Sequence, residues 1–345
     1  MKKLLSVFLS LCMIFGLALS VNASVDNIVA DDFIDTEENI VDIATKDLAT
    51  GDITYSTIDC SEPEATLYSN GTIGNYRPGW FPNMDDATSS EGDGASTCEV
   101  LGGSDERTLV SDTEIFPYSA ICYIEAEWDE LVDDPYQGTA WMLGPNLAVT
   151  SAHNIYVAGC GVADSVTVWP GKCGRWIWNN PFGSSDVDNI KYPVKYETVG
   201  TIGYDWAVLQ LEEDLGNETG WFGFGWYADE YPVGEPITIT GYPGPDEDYP
   251  TEEFKQYTMS GVIDSIDRPD QAAEKRVSFR YTIDTGEGQS GSPVYSYRYS
   301  QYIVYGIHRK YDGYSYNYAT RITNEIFVCL DRILEIPTIS EEVFP

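Results

Sequence analysis

The sequence predicts an all-β protein in which residues 100–345 of the 345-residue chain form two six-stranded antiparallel β-barrels followed by one C-terminal α-helix. Three observations carry this prediction. Short runs rich in Val, Ile, Tyr and Thr, such as Val166–Trp169, Ile237–Thr240 and Val277–Tyr281, alternate with turns of Gly, Pro and Asp. Helical periodicity appears once, where Ile326, Leu330 and Ile333 make an apolar stripe over 324–334, with Thr323 placed to cap it and Pro337 to end it. About 245 residues are enough to bury two separate cores.

Ahead of that region the chain has two different textures. Residues 1–23 join two lysines to an apolar stretch from Leu4 to Leu19 and the ending Val21-Asn22-Ala23, the pattern of a cleaved signal peptide. No second long apolar run occurs after it, so a secreted, extracellular product without a membrane span is expected. Residues 24–99 hold 17 acidic and two basic side chains, with the tract 31–38 and a Gly/Ser/Asp-rich run over 85–96. This composition reads as an acidic propeptide, part of it able to fold against the domain that follows and part a flexible linker.

The formal charge of the whole chain is −37, and residues 100–345 keep −24 of it. Such a surface excludes nucleic acid and anionic membranes as partners. With two histidines in the chain no metal signature stands out, so no cofactor is expected, while a structural calcium on surface carboxylates stays open. Six cysteines lie outside the signal segment, which suits an oxidising exterior. Cys60 and Cys98 fall in the acidic region; Cys160 and Cys173 close a short loop, where a bridge would contribute about 3 kcal/mol. Cys122 and Cys329 have apolar neighbours and read equally as buried thiols or as a second bridge, so the three pairings of the last four cysteines all stay open.

Both histidines sit in segments with chemical content. His153 ends the apolar run Leu147-Ala148-Val149-Thr150-Ser151-Ala152, and a serine hydroxyl is a poor nucleophile until such a base can take its proton. The matching serine is Ser290, in Gly286-Glu287-Gly288-Gln289-Ser290-Gly291-Ser292-Pro293, whose glycines permit the tight turn that aims the Gly288 and Ser290 amides at a developing oxyanion. Asp205 precedes the alternating run Ala207–Leu211 and would hold the imidazole in the right tautomer. The order His, Asp, Ser, with spacings of 52 and 85 residues, suits a two-barrel protease. An α/β-hydrolase would run Ser, acid, His around Gly-x-Ser-x-Gly, and here Ser292 replaces the second glycine.

Together these residues resemble the trypsin-like proteases of the bacterial glutamyl endopeptidase type. The resemblance covers roughly residues 100–335 and rests on Gly103–Thr108, Trp141–Pro145, Ile239–Gly244, the serine loop and Thr320–Phe327. It implies a monomeric secreted serine endopeptidase that acts on protein or peptide substrates and cuts after Glu, more weakly after Asp. In that family the place of His308, eighteen residues after Ser290, lines the specificity pocket and hydrogen-bonds the substrate carboxylate, and imidazole chemistry suits the task. Thr285 matches a hydroxyl that contacts the same carboxylate. The resemblance places self-processing at Glu99–Val100, with the new Val100 amine expected to help bind the carboxylate.

Two departures and two alternatives accompany the resemblance. Asn154 stands where relatives carry a cysteine beside the histidine, and Gln289 rather than Asp precedes the nucleophile, so the usual buried pair of N-terminus and aspartate is unavailable. Asp284, six residues before Ser290, occupies the place where trypsin-like enzymes keep the aspartate that attracts Lys or Arg, which makes cleavage after basic residues the enzymatic alternative. A catalytically silent binding module on the same fold is the alternative from a different class.

Overall fold

The computed structural model describes residues 40–60, 66–67, 73–80, 105–131, 135–199, 202–227, 232–245, 251–267, 277–311 and 316–335. The signal segment, the tract 31–38, the run 85–96, Glu99, Val100 and Pro337 lie outside the described residues.

The first strands come from the acidic region: β1 (Ile40–Asp47), β2 (Ile53–Asp59), β3 (Thr66–Leu67) and β4 (Ile73–Arg77). After them come β5 (Thr108–Leu109), β6 (Ile121–Glu127), β7 (Tyr136–Gly144), β8 (Leu147–Thr150), β9 (Tyr156–Val157), β10 (Gly161–Val162), β11 (Ser165–Pro170), β12 (Ser185–Pro193) and β13 (Ala207–Leu211). The last stretch holds β14 (Gly223–Tyr227), β15 (Pro236–Gly241), β16 (Tyr257–Val262), β17 (Ser265–Asp267), β18 (Ser278–Tyr281), β19 (Pro293–Arg298), β20 (Gln301–Tyr311) and β21 (Asn317–Arg321). Among the described residues two α-helices lie between the strands, α1 (Val194–Val199) and α2 (Gly216–Thr219), and α3 (Asn324–Glu335) follows the last of them.

The first sheet runs β11-β6-β7-β8-β13-β12 and closes through a β11–β12 pairing, giving a six-stranded barrel. Alternation explains it: Val166, Val168 and Pro170 of β11 point inward while their neighbours are exposed or half-buried. Ile124, Val149, Ile190 and Leu209, all at 0% exposure, fill its interior. The second sheet follows the path β17-β18-β21-β20-β19-β15-β16-β5 around Ile239, Phe279, Tyr281, Val294 and Ile303. β16 and β17 are parted by Ile263 and Asp264 alone, so this one stretch pairs with β15 at its start and with β18 at its end, and with β21, β20 and β19 it completes the second six-stranded ring. The short strand β5 adds to β16 at Tyr257 and Thr258.

Helix α3 forms where the periodicity predicts it. Thr323 Oγ1 accepts from the Ile326 amide at 3.4 Å, and Ile326, Phe327, Leu330 and Ile333 are buried. Phe327 meets Phe224 of β14 with ring centroids 5.3 Å apart. Among the described residues no helix is long and apolar enough to cross a membrane.

The acidic region is woven into both sheets. β1 pairs antiparallel with β12 from Ile43↔Pro193 to Asp47↔Asn189, and β4 pairs with β14. Trp80 and Trp221 make an antiparallel bridge. Ile43 and Ala44 are buried in the main core at 2% and 0% exposure. The Lys46 ammonium donates to the carbonyls of Val162 and Ala163, each at 3.0 Å, and to Asp164 Oδ1 at 2.9 Å. Buried charge is tolerated only with such a set of partners.

Cys160 and Cys173 are unbridged and half-buried. The sulfurs that do meet are those of Cys60 and Cys329, 3.6 Å apart.

Candidate active site

Strand β8 delivers His153 at its end. After Thr150 the chain turns through a short 3₁₀ segment, Ala152–Asn154, which lifts the imidazole to the surface of the barrel. Asp205 lies before β13 and is fully buried. Its Oδ1 accepts from the His153 backbone amide and its Oδ2 from His153 Nδ1, both at 2.9 Å. Burial alone would raise this carboxyl's pKa. The charge of His153, its hydrogen bonds and the Arg309 guanidinium outweigh burial and hold the group well below the usual carboxylate range. Arg309 Nε stands 2.5 Å from the same Oδ2.

The serine loop owes its path to two glycines. Gly288 has φ +90°, and a Cβ there would fall 2.6 Å from the Tyr242 carbonyl oxygen. Gly291 has φ +91°, and its Cβ would fall 1.9 Å from the Thr139 oxygen. Only glycine fits such conformations at such distances. Thr139 Oγ1 donates to the Gly288 carbonyl at 3.0 Å and the Gly244 amide to that of Glu287 at 2.6 Å, so these carbonyls face the protein. The Gly288 and Ser290 amides find no acceptor among the described residues.

Ser290 is joined to the histidine loop through its backbone. Asn154 Nδ2, adjacent to His153, donates to the Ser290 carbonyl at 2.8 Å and to Thr150 Oγ1 at 2.9 Å, and the Thr139 amide donates to the Ser290 carbonyl at 2.9 Å. The Ser290 hydroxyl donates to the Arg309 carbonyl at 2.8 Å. The acid–base pair is thus assembled, with the serine proton directed at β20.

β20 also carries His308, whose backbone ties both loops together. Its carbonyl accepts from the Gly291 amide at 2.7 Å and from Ser151 Oγ at 3.0 Å. The ring is 2% exposed, with Nδ1 2.6 Å from the Tyr281 hydroxyl, and a ring N–H donates to the Tyr318 backbone carbonyl. Burial first, then the charge of His153, lower its pKa to about 3, so the imidazole is neutral. Thr285 is half-buried on the serine loop.

Asp284 is 1% exposed beneath this loop. Its Oδ2 accepts from the Glu106 amide at 2.8 Å, while Oδ1 is buried without a partner. Burial raises its pKa to about 7 against the pull of the Glu106 amide. Gln289 Oε1 accepts from Arg107 Nη1 at 2.9 Å and from the Gly286 amide at 2.8 Å, and Arg107 in turn makes a two-pronged ion pair with Asp105. Residues 105–107 therefore brace the serine loop from below.

Asn154, Arg309, Thr139 and the Arg107–Gln289 link escaped the sequence reading. Asn154 and Gln289 had a signal, as departures from the resembled pattern; Arg309 had none beyond adjacency to His308. Among the described residues no three His, Cys, Asp or Glu side chains gather as a metal site.

Residues 138–306 match the family model described as a trypsin-like peptidase domain. By that domain, and by the fold around it, the chain is similar to the trypsin-like serine peptidases. Within that class it is similar to a protein of Bacillus licheniformis named glutamyl endopeptidase, 35% identical over 233 residues that make up 65% of this chain and 66% of the relative. A Bacillus subtilis protein named extracellular metalloprotease is 33% identical over 227 residues, with the same two shares. The chain thus spans just under two thirds of the length of these relatives. A solved structure of a Glu endopeptidase in complex with MPD superposes with a TM-score of 0.54 at 26% identity, covering 68% of this chain and 98% of that one.

Proposed function

We propose that this chain is a secreted serine endopeptidase that hydrolyses peptide bonds after Glu and, more slowly, after Asp. The observation that carries the reading is the His153–Asp205 pair, joined through Asn154 to a serine loop whose Gly288 and Ser290 amides lack internal acceptors among the described residues. Rotation about χ1 of Ser290 moves its hydroxyl from the Arg309 carbonyl toward His153, which takes the proton as Oγ attacks the scissile carbonyl. The two amides then receive the oxyanion. His153 returns the proton to the leaving amine, and the acyl-enzyme is hydrolysed by the same steps with water.

For specificity, His308 and Thr285 flank the position of the residue before the scissile bond, and the Val100 amine joins them after processing at Glu99–Val100. The neutral His308 ring serves an acidic substrate better than it first suggests, because a carboxylate arriving beside an imidazole favours its protonation. Asp284 is a weak basis for cleavage after Lys or Arg: it is buried, bound to the Glu106 amide and partly protonated near neutrality. The signal-like segment and the name of the Bacillus subtilis relative support secretion. Protein or peptide substrates suit a monomer that needs no cofactor.

The test is cleavage of peptides differing only at the residue before the scissile bond, with Ser290→Ala as control. Cleavage after Glu that vanishes in the variant is the expected result. Cleavage after Arg would transfer the pocket to Asp284, and a protein inert to peptides and to fluorophosphonate alike would be a binding module.

A further inference from the structure

The described residues between 40 and 80 behave as part of the folded domain. They give β1 to the first sheet and β4 to the second, bury Ile43 and Ala44 in the core and place the Lys46 ammonium on three oxygens. Cys60 ends the β1–β2 hairpin, and its sulfur lies 3.6 Å from that of Cys329 on α3, with exposures of 1% and 0%. The two cysteines are 269 residues apart in sequence and lie on opposite sides of the processing bond.

We propose that Cys60 and Cys329 form a disulfide that keeps the acidic region covalently attached after cleavage at Glu99–Val100, so that the active enzyme is a two-chain molecule. The covalent site rests on the sulfur contact; its two-chain consequence rests on the processing reading above. A modest side-chain adjustment brings sulfurs at this separation to the bonding distance of about 2.05 Å. The oxidant is a low-molecular-weight disulfide of the cell exterior. One protein thiolate attacks it, forming a mixed disulfide and releasing one small thiol; the second protein thiolate displaces the other. The net change is two protein thiols and one small disulfide giving one protein disulfide and two small thiols.

Once buried, the bridge is shielded from reductants, since exchange needs a thiolate to reach one of its sulfurs. The Cys60 neighbour and burial also push the Cys329 thiol far up, so exchange belongs to the folding chain rather than the finished one. Cleavage alone would otherwise leave residues 40–80 held by strand pairing and packing.

The test takes the full chain secreted under oxidising conditions, alkylates free thiols in denaturant without reductant, and maps the peptides by mass spectrometry before and after reduction. A Cys60–Cys329 linked peptide is expected, together with near-complete co-migration of the two fragments under denaturing conditions that reductant abolishes. Cys60→Ser should lose both. Alkylation of both thiols in the parent protein, or pairing of Cys60 with Cys98, overturns the proposal. An uncleaved chain that yields the linked peptide refutes the two-chain enzyme through its processing step while leaving the bridge in place. Cleaved fragments that separate without reductant refute the bridge itself.

Discussion

Arg309 and His153 share one oxygen of Asp205: Nε of the first lies 2.5 Å from Oδ2 and Nδ1 of the second 2.9 Å from the same atom. The guanidinium thereby ties β20 to the His153–Asp205 pair. In Arg309→Ala that tie is lost while both His153 bonds to Asp205 remain. For a Glu peptide kcat should fall about 3- to 10-fold with KM nearly unchanged. Steady-state kinetics check this; an unchanged kcat would assign Arg309 to packing alone.

Asp284 links folding to pH in an unusual direction. With a folded pKa of about 7 against 3.8 in the open chain, the native state holds a proton that the unfolded state has lost between those values. Stability from this group is therefore full below pH 3.8 and lost as pH rises through 7. His308, with its pKa lowered from 6.5 to about 3, contributes the opposite slope, so variant and parent must be compared at each pH. Asp284→Asn keeps an acceptor for the Glu106 amide without the charge. Its advantage over the parent should grow from pH 4 to pH 8, reaching at most ~4 kcal/mol. Urea unfolding at the two pH values measures it.

Asn154 donates one amide group to two loops, at 2.9 Å to Thr150 Oγ1 and 2.8 Å to the Ser290 carbonyl. Asn154→Ala leaves both buried acceptors short of a donor. The expected cost is about 1–3 kcal/mol of stability. Because the lost bond positions the nucleophile's backbone, kcat should drop on the order of tenfold, with KM nearly unchanged. Thermal melts and steady-state kinetics separate the two effects, and a change confined to KM would contradict the assignment.

Inhibitors discriminate between the chemistries that the two relatives' names suggest. Both histidines are already engaged, His153 by Asp205 and His308 by Tyr281. A fluorophosphonate should inactivate the enzyme completely through Ser290, and 1,10-phenanthroline should leave more than nine tenths of the activity. Sensitivity to the chelator that zinc restores would reverse the assignment.

The barrel strands were legible because half-buried strands alternate, as Val166 and Val168 do, while chain order and a glycine-flanked serine nominated the three residues of the proposed triad. Arg309 and Asn154 act across loops far apart in sequence, which no local pattern records. For the acidic region, composition allowed part of 24–99 to fold against the following domain but not which part: Ile43 and Ala44 reach the core, and Lys46, one of its two cations, is anchored on three oxygens. A strand this short among 17 acidic residues leaves no distinct periodic signal.

The pairing of β1 with β12 covers a strand margin of the first barrel. From Asn189 to Pro193 the outer side of β12 is occupied by β1 over a ladder of five residue pairs. Stripped of that cover, the barrel would offer a bare strand margin, a template onto which a neighbouring molecule could add its own strand. The hairpin from the acidic region thus shifts the sheet's open margin from β12 to β2. Proteolytic trimming beyond Asp47 is a route to clumping long before it becomes a loss of catalytic residues.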